Sequence, residues 1–400
     1  MGRHFILGWL ATCLSLATAT NLYATHYDGS VYSLSLQRSD NDTYSLSIAS
    51  SLKTCGSMPS WLTFDSASRT LYCSDESGDA STNGSLTTLS ADQDGTMTET
   101  ATVAAPGGGV HSVFYSGDDG TQYLAIAHYG GSALSTFRLP LDQGEALQVF
   151  RYTLSETKQN PQQDAPHPHQ VILDPTGSFI LVPDLGADLV RVYAIDKSTG
   201  ELDGACPDLT YPEGSGPRHG LFWQENSIHT SQLKARQQDT QVLYIVNELD
   251  GHFQGFTVSY TSDGCLSFDE FQSFEPYIDG QLPDGATPSE IRRAGDSLYV
   301  SIRSDQGFSP NDSMATLDHA SNGTVTLHEL TSSYGKVPRT FVINQAGDLV
   351  AIGDQSSSNV AIVARDPQTG KLGDEVANVQ IGEPGVVGTS TGLSSVVWDE

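Results

Sequence analysis

One short strand motif recurs seven times along the chain, at Leu22–Gly29, Leu71–Gly78, Tyr123–Gly130, Ile180–Gly186, Leu243–Gly251, Leu298–Arg303 and Leu349–Asp354. Successive copies start 49, 52, 57, 63, 55 and 51 residues apart. Each copy is an apolar run that ends in polar residues, usually with Gly close behind. Most are followed by an alternating segment, such as Asp188–Ile195 or Asn359–Ala364, and then by a turn such as Thr199-Gly-Glu-Leu202 or Thr369-Gly-Lys-Leu372. Period-two alternation after a Gly turn is a hairpin signal. A repeat of this length carrying several strands predicts one propeller blade, because a lone blade cannot bury both faces of its sheet and must stack in a ring. A β-helix is disfavoured, since its coils are far shorter. The expected fold is therefore all-β: a seven-bladed β-propeller with four-stranded blades around a central channel. Ser394–Trp398 is expected to pair with the first blade and close the ring. The polar stretch Gln224–Thr240 reads as a loop insertion.

Composition narrows the function. With 39 Gly and 18 Pro the chain is rich in turns. Its 19 Lys+Arg stand against 48 Asp+Glu, a formal charge of −29. That balance excludes a phosphate-backbone binder and docking on anionic lipid. The first nineteen residues read as a secretory signal peptide: a short basic head, an apolar run Phe5–Ala17 too short to span a bilayer, and the small-residue pattern Ala17-Thr-Ala19. Residues 20–400 are then one propeller domain, exported to the extracellular side. Cys13 falls in the leader, leaving Cys55, Cys73, Cys206 and Cys265, an even set that suggests disulfides of three possible connectivities. Sequons at Asn41, Asn83, Asn311 and Asn322 are glycosylation candidates. No Cys/His spacing suggests a metal site, and no cofactor is expected.

Blade geometry places chemistry at the pore. Before each repeat lies an element that starts with Pro or Gly and runs into an apolar strand. As the innermost strand, it should put His111, His169, Arg218, His219, Glu290 and Arg339 around the opening. The end of the next strand should add His26, Glu76, His128, Asp184, Glu248, Arg303 and Asp354, with Asn247 beside Glu248. In so acidic a chain, three arginines at ring positions point to an anionic ligand, because a guanidinium holds a carboxylate bidentately. The alternative is that these charges pair with each other and pin neighbouring blades.

The stretches Pro166–Gly177 and Val182–Tyr193, with their HPH, DPTG and DLG motifs, resemble the seven-bladed β-propeller lactonases. That family includes 6-phosphogluconolactonases and fungal 3-carboxy-cis,cis-muconate lactonizing enzymes (carboxymuconate cyclases). Gly216–His219, Tyr244–Glu248 and Leu298–Arg303 fit the same pattern in the same order, and Cys55 and Cys73 look like its secreted fungal branch. The resemblance implies His169, Arg218, Glu248 and Arg303 as catalytic residues. His111, His128, Asp184, His219, Asn247, Glu290 and Arg339 are then candidates for substrate contact. Ile302 departs from the pattern, standing where an Asn is expected.

The implied chemistry is formation or opening of a lactone on a small carboxylate, without a metal. Glu248 would transfer the proton with His169 as helper, and Arg218 and Arg303 would clamp the anion. No GxSxG elbow supplies a serine nucleophile. Three alternatives remain open: a cyclase of secondary metabolism on the same scaffold, a non-catalytic secreted binding protein or antigen, and a calcium-dependent lactonase needing an oxygen-only cage. By blade position, Cys55 is expected to pair with Cys73 on adjacent strands. Cys206 is expected to pair with Cys265, both following turns near the outer edges of consecutive blades.

Overall fold

A computed structural model describes residues 19–141, 144–223 and 241–400. The expected leader lies outside the described residues except for Ala19, which opens the first strand, and so does the insertion 224–240. The chain forms seven sheets, each built on a four-strand antiparallel path; in the fourth blade Leu209–Thr210 adds a fifth strand. Blade 1 is closed by the C-terminus: Leu393–Trp398 pairs antiparallel with Ala19–His26. Blades 2 to 7 begin with the innermost strands Pro59–Asp65, Gly109–Ser116, Ile172–Leu173, Pro217–Trp223, Thr287–Ala294 and Pro338–Ile343.

The core is divided among the blade interfaces. Seven apolar clusters occur among the described residues, and each joins two neighbouring blades. Tyrosines of the second strands explain part of this. In the Leu-Tyr pairs of blades 5 and 6 the Leu enters a cluster, and the Tyr hydroxyl reaches a turn carbonyl of the next blade: Tyr244 donates to Gly323 O at 2.5 Å and Tyr299 to Gly370 O at 2.6 Å. Tyr123 of blade 3 does the same from its own place in the strand, donating to Thr199 O at 2.9 Å. Burying a phenol is tolerable only when its hydroxyl finds an acceptor, so this position both packs and sets the blade spacing. Cys55–Cys73 joins the start of blade 2 to its second strand, and Cys206–Cys265 staples blades 4 and 5, as the blade positions predicted. No helix among the described residues is long and apolar enough to cross a membrane.

A bulge recurs at the top of the innermost strands. Pairing skips one residue between Pro59 and Trp61, Gly109 and His111, Pro217 and His219, and Pro338 and Thr340, and two, Ser289 and Glu290, between Pro288 and Ile291. In blade 4, Pro168 bridges Asp184, and regular pairing resumes only at Ile172 with Leu181. A bulge re-aims a side chain out of the pleat. Here it turns the residue after each Pro or Gly toward the channel.

Candidate active site

A cavity of about 430 Å³ opens where these bulges meet. His169, Glu248, Arg303 and Arg339 line it, together with Glu76, Tyr129, Gln355 and a short stretch around Thr389. The segment carrying His169 is braced by the motifs around it. Asp174 accepts hydrogen bonds from the backbone of Thr176, Ser178 and Phe179, which folds the DPTG turn. Asp184 accepts from His167 N at 2.7 Å and Ala187 N at 3.0 Å, and Arg191 holds its other oxygen at 2.7 Å. Gly186 is required by close approach: a Cβ there would stand 1.8 Å from Ala165 O. The family-like stretch is thus a mount for one imidazole.

Glu248 follows the strand Gln241–Asn247 and sits between two guanidiniums. Arg218 Nε lies 2.7 Å from one carboxylate oxygen and Arg303 2.7 Å from the other. Burial alone would raise this carboxyl, but Arg303 and Arg218 outweigh it and pull it down to about 2. Arg218 is 1% exposed, stands behind Glu248 rather than on the cavity wall, and also donates to Ser289 O at 2.7 Å. Burial pushes its pKa down, aided by Arg303, yet a guanidinium stays protonated at neutral pH. On the opposite wall Arg339 lies 3.2 Å from Glu76, which also accepts from Tyr27 at 2.5 Å and Ser60 at 2.6 Å.

Beneath His169 lies a second layer. His169 Nδ1 is 3.1 Å from His219 Nε2, and His219 Nδ1 is 3.2 Å from Glu290. His111 packs edge-on to His219 and lies against Trp61. Burial holds His111 and His169 well below the usual histidine range and His219 at about 4, so these imidazoles are neutral at pH 7. Glu290 is fully buried, which would raise its carboxyl, but Arg292 and His219 pull it to about 2.

The sequence expectation had merged layers that the structure separates. His169, Arg218 and Arg339 sit on the bulge, whereas His111, His219 and Glu290, one position further, form the layer below. The second ring also needs a register correction. Asp75, His128, Asp184, Asn247 and Asp354 pair directly with the bulge-opening Pro or Gly of their own blades. Their side chains stay inside the blades: His128 bonds Ser135, Asn247 bonds Gln254, and Asp354 meets Asn359. His26 occupies the matching place in blade 1 and contacts Glu383 O. In blades 2, 3, 5 and 7 the cavity instead receives the next residue, because successive side chains at a strand end diverge. That residue is Glu76, Tyr129, Glu248 or Gln355, and in blade 6 Arg303 follows Ile302, the partner of Pro288. Tyr129 and Gln355 were missed; aligning the repeats on the Pro or Gly partner would have found them. The Thr389 stretch carries no repeat signal.

Among the described residues no group of three or more His, Cys, Asp or Glu could hold a metal ion. Asn41, Asn83 and Asn322 are exposed, and Asn311 is half-buried.

Comparison with known proteins agrees with this fold. A probable 6-phosphogluconolactonase of Arthroderma benhamiae is 30% identical over 338 residues, covering 83% of this chain and 80% of the relative. A 6-phosphogluconolactonase of Formosa agariphila is 27% identical over 64% of this chain and 67% of its own length. The periplasmic gluconolactonase of Pseudomonas aeruginosa superposes with a TM-score of 0.73 at 24% identity, over 95% of this chain and 99% of that one, a likeness of fold. The sequence model described as "Lactonase, 7-bladed beta-propeller" matches residues 21–389, so the chain belongs to the seven-bladed β-propeller lactonase family.

Proposed function

We propose that the chain is an exported, metal-independent lactone hydrolase that acts on small unphosphorylated lactones, with His169 as general base. The observation that carries this reading is the state of His169. It faces the cavity, it is neutral, its Nδ1 is engaged with His219, and no hydrogen-bond partner meets its Nε2 among the described residues. Glu248 is the weaker candidate for the base, because both its oxygens are held by guanidiniums and its carboxyl is pulled to about 2. Its role in this reading is to fix Arg218 and Arg303.

The step balances as follows. His169 Nε2 takes a proton from a water whose oxygen bonds to the lactone carbonyl carbon. Arg303 stabilises the resulting oxyanion. Collapse breaks the ring C–O bond, and the proton passes to the leaving alkoxide, so that one water is consumed and a hydroxy acid is formed. Around the cavity Arg218, Arg303 and Arg339 face Glu76 and Glu248, which leaves one net positive charge. That suits a neutral lactone or a monocarboxylate better than a phosphate monoester, which carries close to two negative charges at neutral pH. Two disulfides support an oxidising destination, and the exposed sequon asparagines are accessible there to glycosylation.

The test is turnover of glucono-δ-lactone, 6-phosphogluconolactone and 3-carboxymuconate by the parent protein and by His169→Ala. The reading expects hydrolysis of the unphosphorylated lactone, lost in the variant. Cyclisation of the muconate without hydrolysis would replace it with the cyclase reading. Binding of a lactone without turnover would replace it with a binding protein.

A further inference from the structure

We infer that Glu290 and His219 are positioning residues that hold the His169 ring in its Nδ1–H tautomer and thereby present a bare Nε2 to the cavity. The inference rests on the reading of His169 as base. Its ground is the proton count along one line of contacts. Glu290 Oε2 lies 3.2 Å from His219 Nδ1, too far off the N–H direction for a formed hydrogen bond, but a carboxylate this close carries no hydrogen of its own and its negative charge favours the His219 hydrogen on Nδ1. A neutral imidazole has one N–H, so His219 Nε2 is then an acceptor. At 3.1 Å from that nitrogen, His169 Nδ1 must donate. The lone pair of His169 is left on Nε2.

The surroundings favour this direction and not its reverse. Tyr129 stands edge-on to the His169 ring on the blade 3 side, and its carbonyl is occupied by His167. Charges from other blades that act on His169 are Arg218, Arg303 and Arg339, all cations that oppose a second proton on the ring. His111 and Arg292 face His219, with Trp61 edge-on. Glu290 is the one anion in that layer among the described residues, and it is fully buried. A buried carboxylate with a neutral histidine as one neighbour is expensive to keep for packing alone. When His169 accepts a proton from water, Glu290 becomes its counter-charge through His219.

The test is nitrogen NMR of the protein labelled in its histidines, paired with steady-state kinetics on glucono-δ-lactone. The parent should show His169 protonated at Nδ1 and bare at Nε2. Glu290→Gln should mix the tautomers and lower kcat on the order of 10–10²-fold, with KM nearly unchanged and melting retained. The acid limb of its pH–rate profile should move to lower pH, because the counter-charge is gone. A parent ring protonated at Nε2 overturns the inference, and that measurement needs no variant to fold. So does a Glu290→Gln protein with unchanged His169 signals and unchanged kcat. If the signals behave as expected but no lactone is opened, the positioning line stands and the hydrolase reading falls.

Discussion

Glu248 and Glu290 are buried carboxylates in adjacent layers of one channel, both pulled to about 2 by cationic neighbours. Their partners differ in kind. Glu248 lies between two guanidiniums, which never lose their charge, so it fixes a rigid clamp on the cavity wall. Glu290 has one guanidinium, Arg292, near one oxygen, but its other oxygen faces a histidine, whose proton has two possible seats, so it transmits a choice. The same residue type builds a fixture in one layer and a relay in the next, and the partner decides which.

The sharpest way to break this comparison is His169→Ala. Loss of a general base should reduce kcat on the order of 10²–10⁴-fold, with melting little changed, as read by lactone hydrolysis and calorimetry. An unchanged rate would leave both carboxylates with structural roles only. Glu248→Gln should act mainly on stability. It strands Arg218, which is 1% exposed, and breaking such a pair removes about 3–5 kcal/mol. Glu290→Gln should lose less, because Arg292 is 32% exposed and water can take over its solvation. Equal melting shifts in the two variants would contradict the distinction.

Acid separates the layers further. His111, His128, His169 and His219 all have folded pKa values below the ordinary 6.5, so the unfolded chain binds more protons and stability declines as pH falls below about 6.5. The two carboxylates have folded values below 4.5, so their contribution is lost only as pH falls from about 4.5 toward 2. Melting followed from pH 8 to 3 should show both limbs, and Glu248→Gln should flatten the lower one alone. The smallest effect is expected for Arg303→Lys, which keeps the charge but loses the planar fork. KM should rise several-fold with kcat less affected.

Much of this was legible in the chain, for reasons that differ by residue. The apolar strand run Leu243–Val246 and its six counterparts announce blades because the period forces an interface every time the run recurs. His169 and Arg339, expected at the opening because a Pro at the strand start precedes each, do line the cavity, whereas Arg218 at the same position lies behind Glu248. The cavity ring was read one residue out of register at His128 and Asp354, whose neighbours Tyr129 and Gln355 line the cavity, since a strand end does not reveal which of two adjacent polar side chains turns inward. The line Glu290–His219–His169 is illegible in one dimension: its members come from three consecutive blades, and only their stacking brings them into contact.

The closure of blade 1 has a temporal meaning. The strand Leu393–Trp398 that completes it directly follows the rim stretch around Thr389, so both are made after the strands of all seven blades that precede them in the chain. Until they are made, the nascent chain is an open arc whose first blade has an unpaired inner edge and whose cavity lacks part of its rim. A chain stopped short of Leu393 should therefore be inactive and sticky at once, which ties quality control of the fold to assembly of the pocket.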